Sequence, residues 1–253
     1  MSTLPIIDTH THLCDKSFDA DRNEVIRRAG EAGVERMITV SETISDARRN
    51  LELTGQYPEL LAAAGLYPAY TDLAAAEEMR EFIRHNRDRI AAIGEVGLDY
   101  RVIEDPDGRQ IQRKILADFA ALSLELDLPL NVHSRSAGRH AVDFLIETGA
   151  RKVQLHAFDG KAGSARPAVE AGFFFSVPPS VQRSRQKQKL VRQLPLSCLL
   201  VETDSPVLGP DPQQRNEPAN AAISLEMIAQ IKGVSRQTAA QAAYENTRRL
   251  YGI

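Results

Sequence analysis

Eight short apolar stretches, at 6–13, 36–41, 61–66, 90–94, 130–133, 152–156, 173–177 and 198–202, alternate with longer segments whose apolar residues recur at helical spacing. The short runs predict strands. Between 110 and 126, for example, Ile111, Ile115, Phe119, Leu122 and Leu126 share one helical face. Regular strand–helix alternation predicts parallel strands with helical crossovers. Eight such units in 253 residues predict an α/β fold of one domain over residues 1–253, a (β/α)8 TIM barrel. Residues 235–251 add an extra C-terminal helix with Ser235 as its N-cap, after Gly233 ends the preceding helix. No Gly/Ser-rich or Pro-rich linker separates the two halves.

Composition narrows this picture. The chain is 43% hydrophobic yet contains no apolar stretch of membrane-spanning length. The N-terminus lacks a basic region followed by an apolar core, and Pro5 and Asp8 interrupt its first apolar residues, which predicts no signal peptide and a cytoplasmic location. Two cysteines, Cys14 and Cys198, are too few for a disulfide framework and read as reduced thiols, with Cys14 also open as a soft metal ligand. A net charge of -3 argues against whole-protein attraction to nucleic acid or membrane. The densest basic stretch, Arg183, Arg185, Lys187, Lys189 and Arg192, reads first as a solvated helix face. At a site mouth it would instead guide a polyanion.

The candidate chemistry lies at the strand ends. Asp8-Thr9-His10-Thr11-His12 puts two imidazoles, and Asp8 with them, on one face of the first strand. A His pair on a strand is commonly an ordinary polar pair, but metal-ligand types recur: Glu95 after the fourth strand, His133 on the fifth, His156 on the sixth and Asp204 after the eighth. In a barrel these ends converge on one mouth. Imidazole and carboxylate without thiolate suit Zn, Mn, Mg, Co or Ni, and six donors predict two divalent ions with Glu95 between them. The chemistry expected is hydrolysis, with Asp204 able to accept the proton of the attacking water and Glu95 shared as a catalytic ligand. Glu202 reads as a hydrogen-bonding group inside the barrel, and His85 and His140 as helix residues.

Six motifs together resemble the TatD family of metal-dependent deoxyribonucleases, in the amidohydrolase-type barrel superfamily. They are Asp8-Thr9-His10-Thr11-His12, Gly94-Glu95-Val96-Gly97-Leu98-Asp99-Tyr100, Pro129-Leu130-Asn131-Val132-His133-Ser134-Arg135, His156-Ala157-Phe158-Asp159-Gly160, Glu202-Thr203-Asp204-Ser205-Pro206 and Arg215-Asn216-Glu217-Pro218. The segments 133–139 and 186–191 are most similar to the third TatD-domain subfamily of animals. The resemblance implies metal binding by His10, His12, Glu95, His133, His156 and Asp204, and hydrolysis of DNA phosphodiesters from the 3′ end. Where members of the family commonly carry Gly-x-His-Pro on the third strand, this chain has Gly65-Leu66-Tyr67-Pro68. Tyr67 donates a hydrogen bond but does not become a cation near neutral pH.

Three residues are candidate substrate contacts. Arg135 is the first choice for a phosphate clamp, because its planar fork matches phosphate oxygens; a structural ion pair is the alternative. Tyr67 is the second. Arg215 is the third, although an internal pair with Glu202 or Glu217 competes with that role. Asp99 and Tyr100 are expected at the rim, in shaping, capping or packing roles. The partner expected is DNA or an oligonucleotide, with no membrane. Hydrolysis of small phosphoesters, amides or lactones, or DNA handling without catalysis, are the alternatives on this architecture.

Overall fold

The computed structural model describes residues 5–253; the expectation about the N-terminus rests partly on residues 1–4, which lie outside them. Eight parallel strands run in sequence order round one sheet: β1 (Ile6–Thr11), β2 (Val34–Thr39), β3 (Leu60–Ala64), β4 (Ile90–Gly97), β5 (Leu130–His133), β6 (Val153–Leu155), β7 (Phe174–Val177) and β8 (Leu199–Val201). This is the expected TIM barrel. Around it lie α1 (Arg22–Glu31), α2 (Ile44–Thr54), α3 (Leu73–His85), α4 (Pro106–Leu126), α5 (Gly138–Glu147), α6 (Arg166–Glu170), α7 (Arg185–Gln193) and α8 (Ala221–Lys232), followed by the extra helix α9 (Arg236–Tyr251). Among the described residues no helix is long and apolar enough to cross a membrane.

Local chemistry explains the boundaries. Asp105 caps α4 by accepting from Gly108 N–H, with Pro106 in the first turn, so the helix starts five residues before its apolar stripe does. Ser235 caps α9 through Thr238 N–H, and Gly233 ends α8 at φ 65°, both as expected. Strand ends differ where the chemistry sits. β4 continues to Gly97, so Glu95 lies within the strand rather than after it. His156 and Glu202, expected inside strands, follow β6 and β8. The chain leaves those strands through left-handed turns at Ala157 (φ 40°) and Asp204 (φ 55°).

Most of the apolar core lies between sheet and helices, with Phe119, Met79, Ile83 and Leu116 fully enclosed. A smaller cluster fills the barrel itself: Ile38, Val40, Ala63, Ala92, Phe174 and Leu200 meet Leu250 and Tyr251 from the end of α9. An eight-stranded barrel must be filled by side chains. The small Ala63 and Ala92 leave room that Leu250 and Tyr251 occupy, so α9 supplies the barrel floor.

The seam between β8 and β1 is closed largely by side chains. Thr9 donates its hydroxyl to Val201 O across 2.9 Å, and Asp8 accepts from both the N–H (2.8 Å) and the hydroxyl (2.5 Å) of Thr203. Beyond them, Asp204 N–H donates to His10 O and His12 N–H to Ser205 O, each at 2.8 Å. These bonds bring Asp204 to the histidines of β1.

Candidate metal centre

Glu95 stands at the centre of the barrel mouth, and backbone packing puts it there. A Cβ at Gly65 would fall 2.6 Å from the Glu95 carbonyl oxygen, and one at Gly97 2.1 Å from that of His133. Only glycine lets β3, β4 and β5 approach so closely. The Glu95 N–H donates to Ser41 O across 3.0 Å, fixing the strand against the end of β2.

The two carboxylate oxygens of Glu95 face different groups of donors. Oε2 lies 3.7 Å from His10 Nε2 and 3.5 Å from His12 Nε2; those nitrogens are 3.2 Å apart and stand 3.5 and 3.4 Å from Asp204 Oδ1. Oε1 lies 2.6 Å from His133 Nδ1 and 2.9 Å from His156 Nε2, which are 3.1 Å apart. Bonds of about 2.1 Å in a tetrahedron give donor separations of about 3.4 Å. The first group matches that edge length, and the second is somewhat tighter. All six side chains are buried. The donor set fits divalent cations of the borderline, nitrogen- and oxygen-loving kind.

Two of the donor nitrogens are aimed by what holds the rest of their rings. His10 Nδ1–H donates to Asn131 Oδ1 across 2.8 Å, leaving the Nε2 lone pair for the mouth, and burial pushes the ring down to about 3. His133 is held from behind by Asp99, whose Oδ2 is 3.1 Å from Nε2. For His133 and His12 burial opposes the charge, but it is outweighed. Glu95 and Asp99 raise His133 to about 9, and Asp204, Glu95 and Glu42 raise His12 to about 9. Burial likewise opposes ionisation of Glu95 and Asp204, yet the neighbouring imidazoles keep both carboxyls below their usual range. Glu202 sits behind His156, accepting from Ala157 N–H (2.8 Å) and the Ser176 hydroxyl (2.5 Å); burial pushes it up to about 7.

Under the donors lies a buried polar layer. Asn131 donates to Thr9 O (2.9 Å) and to the Tyr251 hydroxyl (3.2 Å), while Tyr251 donates to Gln154 Oε1 and Gln154 to the Ser176 hydroxyl (2.8 Å). Two lines of hydrogen bonds thus lead from the floor to the site, one to His10 and one to Glu202. Asn131, Gln154 and Glu42 escaped the sequence reading. The first two stand two residues before His133 and His156 on the same strand faces, which is the signal that marks them.

The other predicted residues divide. Arg135 is exposed at the mouth, with no ion pair or side-chain hydrogen bond among the described residues. Tyr67 does not offer its hydroxyl to the mouth. It donates to Asp99 Oδ2 across 2.9 Å, while its ring packs edge-on to His133 at 5.1 Å. Burial and Asp99 together hold its phenol above the ordinary value. Arg215 pairs internally, but with Asp21 (2.9 and 2.6 Å) rather than Glu202 or Glu217, and it lies over the Phe18 ring; Glu217 is occupied by Arg28 at 2.6 Å. Cys14 contacts Val40 O at 3.6 Å, outside the donor groups, with burial pushing its thiol up to about 12. His85 bonds to Glu81 O on the surface of α3, and His140 lies against Tyr100. Asp99 fills the expected capping role, accepting from the N–H groups of Arg101 and Val102, and adds to it the hold on His133.

A parallel (β/α)8 barrel with histidine and carboxylate donors gathered at its C-terminal mouth belongs to the metal-dependent hydrolase class. The family profile described as TatD related DNase matches residues 7–252, and the chain belongs to that family. It is 41% identical over 258 residues to Deoxyribonuclease TATDN3 of Homo sapiens, covering 97% of this chain and 94% of that one. It is 33% identical over 257 residues to the uncharacterized metal-dependent hydrolase YabD of Bacillus subtilis, covering 98% and 99%. Among solved structures, the TatD homolog YjjV of Escherichia coli K12 superposes with a TM-score of 0.90 at 27% identity, covering 98% of each chain. The likeness to TATDN3 agrees with the narrower resemblance to the third TatD-domain subfamily.

Proposed function

We propose that the protein is a divalent-metal-dependent deoxyribonuclease that hydrolyses DNA phosphodiesters from the 3′ end. The observation that carries this reading is the division of Glu95, one oxygen toward His10, His12 and Asp204 and the other toward His133 and His156. These residues would hold two cations, with Glu95 common to both. Cations held there would polarise a phosphoryl oxygen and acidify the attacking water. Asp204 takes the proton. It remains ionised, and its Oδ2 accepts no hydrogen bond among the described residues. Arg135, whose side chain has no partner among the described residues, places its guanidinium on a substrate phosphate. DNA as substrate is supported by the family and by the name of the TATDN3 relative, and the 3′ polarity by the family resemblance alone.

The test is incubation of purified protein with DNA labelled at either end and added Mg²⁺, Mn²⁺, Co²⁺, Ni²⁺ or Zn²⁺, with elemental analysis of bound metal. Chelator-sensitive shortening of 5′-labelled strands, with two ions per chain, is the expected result. Intact DNA in the presence of fully metal-loaded protein refutes it.

A further inference from the structure

Beside the donor cluster, a cavity of about 190 Å³ opens between the loops after β5 and β6, the start of α7 and the loop after β8. His133 and His156 form its inner wall, and Ser134, Arg135, Ala157, Asp159, Lys187 and Leu208 line the rest. Two of these residues carry hydrogen-bonding capacity that the protein does not use. Ser134 is 2% exposed, and its hydroxyl has no hydrogen-bond partner among the described residues. A buried polar group without a partner costs stability, so one at a cavity wall marks a place for a ligand atom.

Lys187 supplies the second. It is set apart from the basic stretch it belongs to: Arg185, Lys189 and Arg192 are exposed, whereas Lys187, in the first turn of α7, is half-buried and turned inward. Its ammonium donates to Ala157 O across 2.9 Å and has two further N–H groups. Asp159, Glu202 and Asp204 are near enough to act on its charge, yet no carboxylate oxygen among the described residues lies within 4.0 Å of it. Asp159, itself part of the cavity wall, accepts at Oδ2 from Ser136 N–H across 2.8 Å and does not pair with Lys187. A lysine drawn inward is ordinarily paired with a carboxylate. This one is held off the available acids and left facing a cavity that an unpaired hydroxyl and an unpaired guanidinium also border.

We infer that Lys187 and Ser134 form a phosphate subsite next to the metal centre, a specificity determinant for a phosphoryl group of the substrate, with Arg135 closing it from solvent. The inference rests on the phosphodiesterase reading for its biological ligand, but not for its chemistry. Ser134 donates its hydroxyl to a phosphate oxygen, and Lys187 adds a charge-assisted hydrogen bond while keeping Ala157.

The experiment measures affinity of the Mg²⁺-loaded protein for orthophosphate and for 2′-deoxyadenosine 5′-monophosphate by calorimetry, alongside kcat and KM on DNA. Lys187→Gln, which keeps a donor for Ala157 O but loses the charge, is expected to weaken both ligands about tenfold or more and to raise KM more than it lowers kcat. Lys187→Arg is expected to restore much of the affinity. Ser134→Ala removes a hydroxyl with no partner among the described residues, so it spares the fold and weakens phosphate by a smaller factor. Weakening of the mononucleotide alone places the subsite on the nucleotide phosphate; weakening of orthophosphate as well makes it a general phosphate site, and both support the inference. Unchanged affinity in Lys187→Gln and Ser134→Ala, at parental metal content, overturns it. Loss of phosphate affinity in variants of a parent that does not cleave DNA overturns the nuclease reading and leaves the subsite standing.

Discussion

Tyr67 and Asp99 are joined by a 2.9 Å hydrogen bond, and the carboxylate oxygen that accepts it also stands 3.1 Å from His133. The tyrosine that replaces the family's third-strand histidine therefore acts inward, on the group that aims a candidate ligand. Tyr67→Phe keeps the ring and removes the donor. Outer partners of a metal ligand are worth 10–100-fold in affinity, and removing a support of such a partner should cost about tenfold. Competition with a chelating dye measures this; parental affinity in Tyr67→Phe would show that Asp99 needs no support.

Asp204→Asn preserves shape and removes the proton acceptor. Turnover per bound metal should fall about 100-fold or more while far-ultraviolet circular dichroism stays near parental. Turnover within a few-fold of the parent would assign the proton to another group.

The metal-free protein should lose stability as pH rises. Folded His12 and His133 are held at about 9 against an ordinary 6.5, so the folded state retains protons that the unfolded chain has released. Their contribution is fully present below 6.5 and is lost as pH climbs through about 9. Glu202, held at about 7 against 4.5, adds the same slope over the lower window, where His10, held at about 3 against 6.5, opposes it, so the net fall is expected from pH 6.5 to 9. Metal loading should reverse the trend, because cations compete with protons for the same nitrogens. Thermal melts across this range, with and without metal, check both signs; a metal-free Tm that rises from pH 6.5 to 9 contradicts the assignment.

Asn131→Ala deprives His10 of its orienting acceptor. Metal retention should drop about 10–100-fold, with little change in substrate affinity per loaded enzyme. Tyr251→Phe leaves Asn131 and Gln154 short of one partner each in the enclosed floor. Urea denaturation should register about 1–3 kcal/mol.

The six donors are legible in the sequence because a barrel sends every strand end to one mouth, so ligand types at strand ends need no further information to be grouped. Their supports depend on distances that only folding sets. Asp99 looks like a turn residue, and it is one, but its reach to His133 depends on how β4 and β5 align at Gly97. Arg215 shows the same limit: its partner, Asp21, lies 194 positions away and could not be chosen over Glu217 by spacing. Lys187 is hidden by its neighbours, since a run of five basic residues gives no hint of which one turns inward.

The seam between β8 and β1 gives the barrel a clasp. His10 and His12 lie on one side of it and Asp204 on the other, tied by Asp8 to Thr203 and by His10 O to the Asp204 N–H. A fragment lacking either edge carries an incomplete donor set, and loosening the clasp would let ions leak before the barrel melts. Ion retention is therefore a gauge of ring closure, one that responds to damage at Asp8 or Thr203 even when every metal ligand is intact.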